Sequence, residues 1–329
     1  QPGRLAEKMK QVMRSVNKRR ADLRAVRDFD AVYVFREAAL LGPAYFERLI
    51  KRSGVPMVFD FDDAVFVSYK SPSNGYLTYL KFPGKTGTIC RLSAHVMAGN
   101  QYLADYARKF KPQNVTIIPT TIDTDKYHFP ENKPAHDVPV IGWSGSHSTV
   151  QHLDTLRETL QDLAKQAKFR LRVIGTPHYE LEGVDVEAMA WRSETETDDL
   201  KPIDIGIMPL PDDEWSKGKC GLKALQYMAL GIPTICSPVG VNSEIIADGE
   251  NGFLAGAKDE WIEKLKRLLD SVELRLKLGA AGRRTVEEKY SAQVQAPRVF
   301  QILSAVVGAK AASRKAIEAE KQEENSYSI

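Results

Sequence analysis

Hydrophobic residues along the chain alternate between two patterns. Short unbroken apolar runs at 31–35, 56–59, 94–98 and 115–119 have the look of strands buried on both faces. Between them, 38–52, 76–92 and 100–109 carry apolar residues at helical spacing. Strand and helix taking turns predicts a parallel, doubly wound sheet. A helix is also predicted ahead of the first strand, at 4–27, where Leu5, Met9, Val12, Met13, Val16, Leu23 and Val26 share roughly one face.

The pattern lapses at 124–137, a polar stretch with two prolines, which reads as an interdomain linker. It then resumes. Strands are predicted at 138–143, 170–175, 204–209 and 233–236, and helices at 149–167, 219–230, 258–270, 273–287 and 291–307. The expected domains are 1–130 and 138–290. A closing helix at 291–307 is expected to cross back to the first domain, and 308–329, rich in Lys, Glu and Ser, to form a flexible tail. The fold class is α/β, with two Rossmann-like doubly wound parallel-sheet domains facing a cleft. Ligands in such sheets bind outside the carboxyl ends of the strands.

Composition narrows the function. A net charge of +3 over 329 residues is too small to call for a nucleic-acid partner. Three widely spaced cysteines form neither a disulfide framework nor a zinc site, which points to the cytoplasm. No apolar run is long enough to cross a bilayer. The basic face of helix 4–27 suits either solvent or an anionic membrane surface, so a peripheral place on the inner face of the membrane is compatible with it.

Three constellations are candidates for chemistry. Gly142, Ser144, Gly145 and Ser146 lie in a strand-to-helix turn, where small residues admit a ligand and helical N–H groups attract phosphate. An ordinary capped turn has the same composition. The segment Lys217–Gly240 sets Lys217, Lys219 and Lys223 around the start of a helix, with Gly221 beside them and Gln226 two turns beyond Lys219. Spacing alone also allows a lysine-rich surface turn before a core helix. Asp60, Asp62 and Asp63 follow a strand directly and are the candidate catalytic carboxylates, as an acceptor site or a base. Turn and cap acids are the alternative. A hard cation needs more oxygen ligands than this one cluster supplies, and the histidines have no metal-binding spacing, so no metal and no cofactor are expected.

The carboxyl-terminal half resembles the retaining glycosyltransferases of family 4, the group 1 transferases of GT-B fold. Val115–Tyr127 (VTIIPTTIDTDKY) is similar to the family's strand before the linker. Ile141–Leu156 is similar to its donor-domain strand, glycine loop and helix, and Asp204–Pro211 (DIGIMPLP) to its next conserved strand. Gly221–Glu244 and Asp248–Leu254 are similar to the helix and the turn that follow. The resemblance implies transfer of a sugar, with retention and without metal, from a nucleotide-diphosphate donor of UDP or GDP type. The donor would sit on the second domain, with Glu244 near the nucleotide, and a glycan or lipid-linked acceptor on the first. Polysaccharide, lipid-linked glycan or glycoprotein glycan synthesis are the implied settings.

Departures from the family accompany the match. Its two glutamates in the E-x7-E motif fall on Gly218 and Gln226, and its phosphate-clamping Arg/Lys pair is absent from 142–152, with Lys219 and Lys223 as substitutes. A carboxylate cluster stands where the family has an acceptor-side histidine. The family's opening strand and glycine loop have no counterpart before 31–35, so the first domain is expected to be incomplete at its start. A non-catalytic nucleotide-sugar or glycan-binding module, or a nucleotide-sugar epimerase, are the alternatives of the same fold.

Overall fold

The computed structural model describes residues 2–68, 82–128, 137–146 and 148–326. The chain divides into two compact units. One contains Gln1–Lys70, Asn74–Ile118 and Pro297–Ile329, and the other mainly Pro119–Ala296.

The first unit opens with helix α1 (Pro2–Ala25). It continues with β1 (Val32–Phe35), α2 (Tyr45–Arg52), β2 (Met57–Phe61), α3 (Lys85–Leu92), β3 (His95–Ala98), α4 (Gln101–Arg108) and β4 (Val115–Ile117). The strands are parallel and lie in chain order, β1-β2-β3-β4. Val58 of β2 and Met97 of β3 bury one face against Val299, Ile302, Leu303 and Val306 of the last helix. The helix expected at 38–52 begins only at Tyr45. Residues 38–44 are instead held as a loop, in part by Glu47, whose buried carboxylate accepts the Ala38 N–H at 2.9 Å. The start of the helix expected at 76–92 lies outside the described residues.

The second unit comprises β5 (Val140–Ser144), α5 (Val150–Asp154), α6 (Arg157–Ala164), β6 (Arg170–Ile174), β7 (Asp185–Met189), α7 (Glu196–Leu200), β8 (Ile205–Met208), α8 (Glu214–Lys217), α9 (Leu222–Ala229), β9 (Thr234–Cys236), α10 (Asn242–Ile245), β10 (Phe253–Leu254), α11 (Lys258–Asp270) and α12 (Val272–Thr285). Its parallel strands run in the order β10-β9-β8-β5-β6-β7, so the chain reverses direction across the sheet between β8 and β5. Side chains alternate across the sheet. Ile141 and Trp143 pack with Leu153, Leu160, Trp261 and Leu265 on one face. Met208 and Cys236 pack with Ala224, Leu225, Tyr227 and Met228 on the other. Helices therefore cover both faces.

Three expectations are corrected here. The single helix at 149–167 is two, since the chain breaks at Thr155–Leu156. Part of the linker at 124–137 lies outside the described residues, but Thr124 and Tyr127 are buried, and Arg283 donates to the Thr124 carbonyl at 3.2 Å and to the Tyr127 carbonyl. Those ends are fixed to the second unit by a cation meeting carbonyls. The last helix, α13 (Ala292–Ser326), does not stop at 307. Ala, Lys and Glu dominate 308–326 and are strong helix formers, which carries the helix through the stretch expected to be tail.

Candidate functional site

In the second unit, the carboxyl ends of β5 and β8 flank the reversal of strand order, which in open α/β sheets is where ligands bind. The turn after β5 is closed by its own groups. The Ser144 N–H donates to the Tyr227 hydroxyl at 2.7 Å. The Gly145 N–H donates to the Ile174 carbonyl at 2.9 Å, and the Ser146 N–H to the Thr149 hydroxyl at 2.9 Å. These amides were expected to cradle a phosphate, and all three are engaged within the protein. Gly145 is small because the Trp143 ring folds over it, with ring carbon at 2.1 Å from where a Cβ would stand. Gly142 is explained by packing. It is buried within β5, and a Cβ there would meet Ile203 at 2.3 Å.

The basic groups come from the next turn. Gly221, with φ of +72°, is the N-cap of α9 and has no side chain to cap the helix. The first-turn N–H groups of α9 thus keep their preference for an anion. Ile245 fills the space beside Gly221, so α10, with the exposed Glu244, abuts the start of α9. Lys223 lies over the Trp143 ring at 5.3 Å and Lys219 over the Trp215 ring at 4.7 Å. These cation–π contacts hold two half-buried ammonium groups beside the β5 turn. Lys217 turns away and pairs with Asp212 at 3.0 Å, both well exposed.

His152 of α5 completes the cluster, and its place in the sequence, without metal-ligand spacing, does not single it out. Its side chain is buried, and its Nδ1 has no hydrogen-bond partner among the described residues. Burial first, then Lys223 and Lys219, hold its pKa down at about 4, so the ring is neutral at pH 7. A neutral imidazole here keeps a third cation away from the two lysines.

Gln226 does not face this cluster. It is buried, and its amide donates to the Tyr127 hydroxyl at 2.7 Å and to Glu196 at 3.1 Å. Glu196 also accepts the Tyr127 hydroxyl at 2.5 Å and the Trp191 indole at 3.1 Å. The amide of Gln226, expected among the donor-binding groups, is engaged in an internal network. Its donors hold the Glu196 carboxyl below the ordinary carboxylate range, against the effect of burial.

In the first unit, Asp60, Asp62 and Asp63 do come together at the carboxyl end of β2. Arg36 bonds Asp62 at 2.6 Å and Asp63 at 2.9 Å, and the Tyr33 hydroxyl donates to Asp60. Burial raises the Asp60 pKa. One guanidinium thus bridges two carboxylates and offsets one of their two charges, while burial disposes Asp60 to take a proton. No group of three or more His, Cys, Asp or Glu fit to hold a metal occurs among the described residues. No described helix is long and apolar enough to cross a membrane.

The two parallel-sheet α/β units define the GT-B glycosyltransferase fold, which the chain shares with solved structures. It is similar to a glycosyltransferase from Rickettsia africae (15% identity, 89% of this chain and 81% of that one, TM-score 0.67). It is similar to HepE of Anabaena in complex with UDP-glucose (13% identity, 87% and 82%, TM-score 0.65). It is similar to sucrose-phosphate synthase from Thermosynechococcus elongatus (15% identity, 79% and 72%, TM-score 0.61). Residues 138–271, from the start of β5 through α11, match the family described as glycosyl transferases group 1. Curated proteins compared by sequence give no significant match. The family match covers less than half of the chain and lies within the second unit.

Proposed function

We propose that the chain is a nucleotide-sugar-dependent glycosyltransferase whose donor diphosphate rests on Lys219, Lys223 and the first turn of α9. The observation that carries this reading is the convergence of the two ring-anchored lysines, an uncapped helix start and a neutral histidine beside the strand-order reversal. A departing nucleoside diphosphate accumulates negative charge, and fixed cations with aligned N–H dipoles stabilise it as it forms. That supply of charge lets the protein dispense with a metal. UDP in the Anabaena HepE structures supports a UDP-type donor here, and the resemblance to family 4 supports retention. The acceptor, a glycan or lipid-linked sugar, belongs with the first unit, where Asp60 is the candidate base and Asp62 and Asp63, tied to Arg36, shape its surroundings. The basic helix α1 fits a peripheral place at an anionic membrane surface.

The test is calorimetry with UDP and GDP on the parent and on Lys219→Ala with Lys223→Ala, alongside a donor-hydrolysis assay. Removing two charge-assisted contacts of about 1.5 kcal/mol each weakens binding by about a hundredfold or more. Parent-like affinity in the double variant sinks the placement of the donor. A second reading, a binding module without turnover, is favoured by the absence of a carboxylate at Gly218 and the internal engagement of Gln226. It predicts nucleotide binding with neither hydrolysis nor transfer.

A further inference from the structure

A second basic site lies in the first unit, at the end of its sheet opposite the Asp60–Asp63 cluster. A cavity of about 1010 Å³ opens at the amino ends of β2 and β3, where Pro56, Met57, Ala94 and His95 begin those strands, and one turn face of α13 closes its side. Lys51, Arg91, Lys111 and Lys310 line it, and among the described residues no aspartate or glutamate does. None of these four cations forms a salt bridge among the described residues. Two of them are held by other means. Arg91 lies over the Phe110 ring at 4.8 Å, and Lys310 donates to the Phe29 carbonyl at 3.2 Å and the Asp30 carbonyl at 3.4 Å. Asn114, at φ of +60°, turns the chain at the rim and ties it to Ala94.

The volume is that of a small-molecule site, and the wall offers four donors of positive charge with aliphatic stems around them. We propose that this cavity binds a phosphorylated ligand, recognised through a phosphate or diphosphate group by Lys51, Arg91, Lys111 and Lys310.

The groups in the wall behave as an unbalanced positive field requires. Lys111 has its pKa lowered by burial and then by Lys51. His95, bonded to the Thr116 hydroxyl at 2.9 Å, has its pKa lowered by burial and then by Lys111. Like charges gathered without counter-charge raise the energy of the empty site, and a polyanion relieves it. The site is remote in the chain from the donor lysines, since every lining residue belongs to the first unit and Lys219 and Lys223 to the second. It therefore stands whether or not the donor reading holds.

The phosphate can be that of a soluble metabolite or of a lipid headgroup, and two probes separate them. Inorganic pyrophosphate is titrated into the full chain carrying Lys219→Ala and Lys223→Ala, which removes the competing donor cations. Vesicles of phosphatidylcholine with and without phosphatidylglycerol are tested by co-sedimentation. The expected result is binding of pyrophosphate at one site, or of the phosphatidylglycerol vesicles only, weakened about tenfold or more by adding Lys51→Gln and Lys111→Gln. The His95 ring resonance in the chain with Lys51 and Lys111 intact is a readout independent of those substitutions, and its titration midpoint is expected to rise on binding. Absence of binding to both probes overturns the proposal. So does binding that survives the Lys51→Gln and Lys111→Gln substitutions, or a His95 midpoint that stays where it was.

Discussion

The hydrogen bond from the Ser144 N–H to the Tyr227 hydroxyl is the joint between the β5 turn and α9, and Tyr227→Phe tests it. The phenol is wholly buried, and burial raises its pKa well above its ordinary value, so the hydroxyl stays intact through neutral and mildly basic pH. The substitution removes one oxygen and keeps the ring, which packs against Gly206. Little is lost in packing. What remains is an amide at the buried Ser144 with no partner, which costs about 1–3 kcal/mol. For a unit of this size each kcal/mol moves the thermal midpoint by about 2–4 °C, so a loss of about 2 kcal/mol lowers it by about 4–8 °C.

The measurement is available without interference from the first unit. Trp143, Trp191, Trp215 and Trp261 are the chain's only tryptophans, and all four lie in the second unit. Their fluorescence in urea therefore follows that unit alone. The expected outcome is a lower urea midpoint at unchanged slope, since a lost hydrogen bond leaves the area exposed on unfolding unaltered. Weaker UDP binding should accompany it, because Tyr227 positions the turn against Lys223. A midpoint within error of the parent refutes the reasoning, for it would mean that the amide finds another partner at no cost.

Other substitutions extend the argument. His152 is held neutral in the fold at about 4 but titrates near its ordinary 6.5 when unfolded, so the unfolded chain takes up its proton first. Stability is complete above pH 6.5 and falls as the pH drops toward 4. The loss between pH 7.5 and 5 comes to about 2 kcal/mol, and His152→Gln should remove most of it in the tryptophan-monitored urea series; an unchanged pH dependence in that variant rejects the role. Gly175→Ala and Gly54→Ala both place a Cβ at positive φ, but the first meets the Gly145 carbonyl oxygen at 2.0 Å and the second meets nothing within 4 Å. Backbone cannot yield as a side chain does. Circular-dichroism melts should show Gly54→Ala costing about 1 kcal/mol and Gly175→Ala at least about 3 kcal/mol or no folded protein, and equal losses would contradict that distinction.

The main strands were legible because their apolar runs are long enough to show a pattern, as in Ala94–Ala98 and Val138–Trp143. The short elements β7, α7, α8 and α10 mix charged or polar residues with their few apolar ones, and β10 has two residues, so none shows an apolar run or a period. The segment Lys217–Gly240 was legible as a lysine-flanked helix start, but not the direction of each side chain. Lys217 turns to Asp212, and Lys219 and Lys223 turn to indoles that lie four and eighty residues away in sequence. Composition likewise could not reveal that the amides of Ser144, Gly145 and Ser146 are engaged, because their partners Tyr227, Ile174 and Thr149 are set by the fold. His152 escaped notice for a similar reason. A lone histidine acquires meaning only when tertiary structure brings two lysines to it.

The residue at 226, where the transferases that this chain resembles carry their second glutamate, is explained by the same network. In this chain one amide nitrogen of Gln226 donates both to Tyr127 and to Glu196, while Tyr127 donates to the other oxygen of Glu196. A glutamate at 226 has no proton to give at neutral pH. It would place a second carboxylate about as close to Glu196 as a hydrogen bond, in a buried setting where two like charges cannot both persist. Glutamine is thus what Glu196 requires of its neighbour. The departure at 226 is coupled to the presence of Glu196, Tyr127 and Trp191 rather than being an isolated loss. Under the proposed donor placement, the ribose contact falls outside the side chain of residue 226, and the exposed Glu244 beside the start of α9 is the carboxylate that this placement assigns to it.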